Sequence, residues 1–156
     1  MDHSRRTALK AGGGAGLLAL LVAAGVVRPG DALAQDWNKA AFDMKSVPEA
    51  LRALGAASPA ASDAILIKAP EIAENGAVVP VAVESRLPGT ESITLLIDKN
   101  PQPLTAAFAI PAGTESSVST RVKMAETADV YALVKADGKF YVAKKEIKIT
   151  LGGCGG

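Results

Sequence analysis

The chain has 156 residues, with 17 Lys or Arg against 16 Asp or Glu and a single His and a single Cys. This near-neutral balance gives no electrostatic case for nucleic acid or an anionic membrane as a partner. One cysteine can form neither an internal disulfide nor a multi-thiolate zinc site.

The N-terminus reads as an export signal. Ser4-Arg5-Arg6-Thr7-Ala8-Leu9-Lys10 has the twin-arginine form, with Ala8 where a bulkier apolar residue is more usual. The uncharged stretch from Ala11 to Val27 is short for a membrane span and diluted by glycine, so an export segment fits better than an anchor. Ala32-Leu33-Ala34 supplies an A-x-A cleavage site, which predicts a mature chain starting at Gln35; the alternative is an uncleaved anchor. Cleavage removes four basic residues (Arg5, Arg6, Lys10, Arg28) and two acidic ones (Asp2, Asp31) from totals of 17 and 16, leaving a net charge near −1. It also removes His3, so the mature chain has no imidazole for a Cys-His or Ser-His pair or for a histidine-bound metal.

Residues 35–62 read as a short helical segment. Ser46-Val47-Pro48-Glu49 matches a capping box with proline in the first turn, opening a helix that carries Ala50, Leu51 and Leu54 and ends at Gly55. Trp37 and Phe42 belong to a preceding helical turn packed on the domain.

From Asp63 to Thr150 the pattern has period two. Strand-like runs cover Ile65 to Lys68, Val79 to Ser85, Ser92 to Asp98, Leu104 to Ile110, Ser117 to Met124, Asp129 to Ala136 and Lys139 to Thr150. Asp137-Gly138 joins the last two as a hairpin turn. Seven strands in about 90 residues, preceded by little helix, predict an all-β fold, an antiparallel β-sandwich of immunoglobulin-like type; a small barrel is the alternative. Between the strands, Ala69 to Gly76 reads as a loop whose carboxylates, Glu71 and Glu74, lack a visible partner for acid–base work. Asn100-Pro101-Gln102-Pro103 reads as a rigid connection. Lys144 and Lys145 read as a solvated strand face rather than a guide for anions.

Leu151-Gly152-Gly153-Cys154-Gly155-Gly156 closes the chain and predicts a flexible tail, residues 151–156, with the lone thiol on a glycine arm. From Leu151 to Cys154 the extended chain spans roughly 10 Å, enough to enter another protein's cleft. A free thiol has a pKa of about 8.5, and no Lys or Arg lies in the last six residues to lower it. The sulfur therefore has no built-in activation, which suits a carried thiol better than a self-sufficient nucleophile. An unpaired cysteine in an oxidising compartment also admits a structural or interaction module that dimerises through a terminal disulfide. A stand-alone sulfurtransferase is disfavoured by the missing basic cradle.

Taken together, the twin-arginine signal, the stretches Ala69–Gly76 and Asn100–Pro103 within a β domain, and the ending Gly-Gly-Cys-Gly-Gly resemble the SoxY family. These are sulfur-carrier subunits of periplasmic thiosulfate oxidation. The resemblance implies a heterodimer with a SoxZ-like immunoglobulin-like subunit, with sulfur held covalently on Cys154 and Gly152, Gly153, Gly155 and Gly156 forming the arm. It implies a haem cytochrome that attaches thiosulfate, a di-manganese hydrolase that releases sulfate, and a molybdenum–haem sulfane dehydrogenase. All are separate proteins; the chain itself needs no cofactor or metal and is not an enzyme. Leu95 to Ile97 is a candidate contribution to the subunit interface.

Overall fold

The computed structural model describes residues 38–150. The export signal with Arg5 and Arg6, the cleavage site, Trp37 and the Gly152–Gly156 arm with Cys154 lie outside them.

Among the described residues two short helices come first, α1 (Lys39–Phe42) and α2 (Val47–Ala53). Asn38 caps α1 by accepting from the Ala41 N–H at 3.1 Å, and its amide donates to the Ala53 carbonyl at 2.8 Å, tying the start of α1 to the end of α2. Ser46 caps α2 by accepting from the Glu49 N–H at 3.4 Å, as the capping box requires. The reciprocal contact is shifted by one residue: the Glu49 carboxylate accepts from Lys45 N–H at 3.4 Å. Proline in the first turn costs no hydrogen bond, because those N–H groups have no intrahelical partner. At the other end the N–H groups of Gly55 and Ala56 reach back to the carbonyls of Arg52 and Leu51, a Schellman stop.

Nine strands follow among the described residues: β1 (Ala60–Ala61), β2 (Ile65–Lys68), β3 (Ile72–Ala73), β4 (Val79–Ser85), β5 (Thr90–Ile97), β6 (Leu104–Ala109), β7 (Ser117–Val122), β8 (Ala128–Ala136) and β9 (Lys139–Ile149). They form two sheets, one of six strands ordered β1-β9-β8-β5-β6 with β3 also paired to β9, and one ordered β2-β4-β7. The seven longer strands coincide with the seven runs expected from alternation, and two separate sheets make a sandwich rather than a barrel. Asp137 (φ 48°) and Gly138 (φ 72°) make the tight β8–β9 turn, with Ala136 paired to Lys139.

Alternation also sets what each sheet hides. Val79, Val81 and Val83 of β4 meet Ile93, Leu95, Ile97, Val130, Val134 and Ile147 of the large sheet in the inter-sheet core. The outer face of the large sheet is covered as well. Leu96, Leu104 and Leu133 pack against Ala41, Val47, Ala50 and Ala56, with Phe42, Leu51 and Leu54 at the margin. The helices therefore form a third layer, and β5 is buried on both faces.

One expectation needs correction, and two are sharpened. Leu95, Leu96 and Ile97 are fully buried, Leu95 and Ile97 between the sheets and Leu96 beneath the helices, so none is available to a partner subunit. The segment 35–62 is not purely helical, because β1 lies in it. The sandwich is not purely antiparallel either: β1 pairs parallel with β9 at Tyr141 and Val142, and β3 pairs parallel with β9 at Lys148 and Ile149.

Candidate functional site: the root of the C-terminal arm

The last described residues of β9 are held on both edges. On one side the Lys148 N–H donates to the Glu71 carbonyl at 2.9 Å and the Thr150 N–H to the Ala73 carbonyl at 3.2 Å. On the other, the Ile149 N–H donates to the Thr127 hydroxyl at 2.9 Å. The backbone donors thus alternate between β3 and the β7–β8 connection up to Thr150.

The stretch Ala69–Gly76 is therefore more than a loop. Its centre is β3, its Ala73 is buried in the inter-sheet core, and its Gly76 carbonyl accepts from the Met124 N–H at 2.7 Å. Glu71 and Glu74 are exposed, in line with their reading as loop charges. Asn75 turns the chain, accepting from the Ala77 N–H at 2.9 Å through its side chain. Such a strand is invisible to periodicity, since a two-residue ladder has no period to detect.

Asn100–Pro103 connects β5 to β6 at the same pole of the sandwich. The Asn100 amide donates to the Lys123 carbonyl at 2.8 Å and accepts from the Ala125 N–H at 3.2 Å. It thereby fixes the β7–β8 connection that carries Thr127. Pro103 is fully buried. The two internal stretches that carried the resemblance, 31 residues apart at their first positions (69 and 100), thus converge on the arm's root. Thr127 was not singled out by sequence, and a lone threonine between Glu126 and Ala128 offers no signal there.

Lys144 and Lys145 are engaged locally. Lys144 donates to Asp129 at 2.8 Å and lies 6.0 Å from the centre of the Tyr131 ring. The hydrogen bond to Asp129 is the first cause holding its ammonium above the usual lysine range. Tyr131 is pushed up as well, first by burial and then by the Asp129 charge. Lys145 donates to the Ala69 carbonyl at 2.6 Å, pinning the approach to β3. Two open hollows, of about 330 and 410 Å³, adjoin β1 beside Phe140 and beside Tyr131. Both lie toward the middle and far end of β9, away from Thr150. Among the described residues no group of three or more His, Cys, Asp or Glu side chains is placed to hold a metal ion, and no helix is long and apolar enough to cross a membrane.

Comparison with known proteins follows the same geometry. The family described as "Sulfur oxidation protein SoxY" matches residues 50–154, from α2 to the cysteine itself. The sulfur carrier protein SoxY from Chlorobium limicola f thiosulfatophilum has a similar structure, at 40% identity and a TM-score of 0.62, over 68% of this chain and 97% of that one. A superoxide reductase (neelaredoxin) from Ignicoccus hospitalis matches at 22% identity and a TM-score of 0.49, over 55% of this chain and 78% of that one. The comparison with curated proteins gives no match. A sandwich matched over most of the chain by one family, and similar at 40% identity to a solved member of it, leads to one conclusion: the chain belongs to the SoxY family.

Proposed function

We propose that this chain is a covalent sulfur carrier of thiosulfate oxidation and that Cys154 is the point of attachment. Membership of the SoxY family and the likeness to a sulfur carrier protein support the carrier role and a non-catalytic one. The observation that carries the finer reading is the clamp. The fold holds the chain on both edges of β9 and at Thr150, and the family match continues to residue 154, so the thiol lies four residues beyond a fixed point of the chain.

In loading, the Cys154 thiolate and the outer sulfur of thiosulfate join in a new S–S bond, and two electrons leave to a haem cytochrome acting as oxidant. Hydrolysis of the product transfers the sulfonate to water, releasing sulfate and two protons and leaving a persulfide on Cys154. Six electrons then leave the remaining sulfur to a molybdenum–haem sulfane dehydrogenase acting as oxidant, while three waters supply the oxygens of a sulfonate and six protons are released. A last hydrolysis frees sulfate and returns the thiolate. These steps belong to other proteins, because the chain brings neither an activating cation within its last six residues nor a histidine after His3. A SoxZ-like subunit completes the carrier, and the twin-arginine signal with Arg5 and Arg6 sends it to the periplasm.

Intact-mass measurement after incubation with thiosulfate and the oxidase tests the attachment. One thiosulfate unit should be gained by the native chain and none by Cys154→Ser. An adduct that persists in the variant refutes attachment at this residue.

A further inference from the structure

Thr150 is the last residue the described fold holds by backbone hydrogen bonds, and Cys154 follows four residues later. Those four residues span at most about 14 Å when fully extended. An enzyme that reaches the sulfur inside a cleft must bring the rim of that cleft against the pole from which the arm leaves.

That pole carries an unusual pair of side chains. Among the described residues the exposed large hydrophobics are Ile72, 57% exposed, and Val78, 52% exposed. Both lie on the segment that flanks the arm's root. Ile72 is paired with Lys148, two residues before Thr150, and Val78 closes the turn begun by Asn75. Their neighbours Ala73 and Val79 point into the core, so the outward position of Ile72 and Val78 follows from the pleat and costs the interior nothing if changed. Glu71, Glu74, Glu126, Lys99, Lys123 and Lys148 stand exposed on β9 and the connections at this pole, three of each sign, and provide no single-signed field for steering.

We propose that Ile72 and Val78 are the apolar contact through which the carrier body docks on the entrance rim of the enzyme that loads its arm. This rests on Cys154 carrying the sulfur. The occupant is an apolar rim surrounding a cleft about 14 Å deep or less, the reach of the arm. Two partly exposed aliphatic side chains make a small contact of the transient class, which suits a carrier that must leave each enzyme after a single step.

The test compares the native chain with the double variant Ile72→Ser and Val78→Ser, each with its partner subunit. The readout is the initial rate of thiosulfate loading as a function of carrier concentration. The expected result is a roughly tenfold fall in kcat/KM, carried by KM, as for loss of a modest interface contact. The rate at which iodoacetamide alkylates Cys154 should be unchanged. A second measurement removes the chemistry: Cys154→Ser carrier should compete with native carrier for the oxidase, and the same protein also carrying Ile72→Ser and Val78→Ser should compete about tenfold less well. An unchanged kcat/KM and unchanged competition overturn the proposal. Loss of the partner subunit from the double variant on size exclusion overturns it too, assigning the pair to that interface. Loading of Cys154→Ser would instead sink the reading of the thiol, a distinct outcome.

Discussion

Gly89 sits where the β4–β5 connection passes beneath the β8–β9 turn. Its φ is +61°, and a side chain added there would run into the Asp137 carboxylate. Its carbonyl accepts from the Asp137 N–H at 3.1 Å, which locks the two turns together. Asp137 is exposed and its carboxylate can swing away, so the left-handed backbone is the larger obstacle. Gly89→Ala should cost about 1–2 kcal/mol, and a thermal melt should show a fall of roughly 5 °C or more. Next to it, Glu91 holds the same turn through Lys135 at 2.7 Å and the Gly138 N–H at 2.7 Å. These bonds, the Lys135 one first, keep its carboxyl below the ordinary 4.5. A depressed carboxyl stabilises the fold above its unfolded pKa and loses that contribution as pH falls through the folded value. The gap in melting temperature between native chain and Glu91→Gln should therefore be widest near neutral pH and close below about pH 4.5. A gap that stays constant into acid would show that the Glu91 charge is not involved. Asp137-Gly138 was legible in sequence because such a pair specifies its own turn; Gly89 was legible only as a glycine between strands, since its neighbour comes from 48 positions away.

At the scale of elements, alternation made the seven long strands readable, and capping chemistry made α2 readable. What escaped were elements defined by a partner rather than by their own pattern. β1 and β3 are two residues each and exist because β9 offers them an edge. Likewise, Leu95 to Ile97 reads as a candidate subunit contact until the helices are seen to cover Leu96. Thr127 belongs to the same class, recognisable only from where β9 passes. Its hydroxyl is the acceptor for the Ile149 N–H, so Thr127→Val should free that amide while keeping the side chain's shape. Loss of about 1 kcal/mol there predicts roughly fivefold faster hydrogen exchange at Ile149. Exchange at Val134, deep in β8, should not change. Equal acceleration at both positions would indicate general destabilisation instead of a loosened arm root.

For the whole molecule, the arrangement divides labour between a body and an arm. Among the described residues the body has two cores and a helical layer, and the two internal stretches that carried the resemblance meet beside the end of β9. Sequence singled out the Gly152–Gly156 stretch as an expected arm, because a cysteine among glycines is conspicuous. It did not show that Ala69–Gly76 and Asn100–Pro103 brace the arm's root, because that proximity depends on the packing of four connections at one pole. If the body serves as a fixed base, reach becomes the controlling quantity. Deleting Gly152 and Gly153 would shorten the span from Thr150 to Cys154 by about 7 Å. The melting temperature should be unaffected, since a glycine brings no side chain to either core. Alkylation of the thiol by iodoacetamide should remain fast, because a small reagent needs no reach. Loading by the oxidase should fall by about a hundredfold or more, in the manner of a misplaced reacting group. Replacing the pair by two alanines should restore much of the rate, because it returns the length without the glycines' freedom. Full loading by the shortened chain would mean that the enzyme comes to the sulfur at the surface, and the arm would then lose its reason for being long.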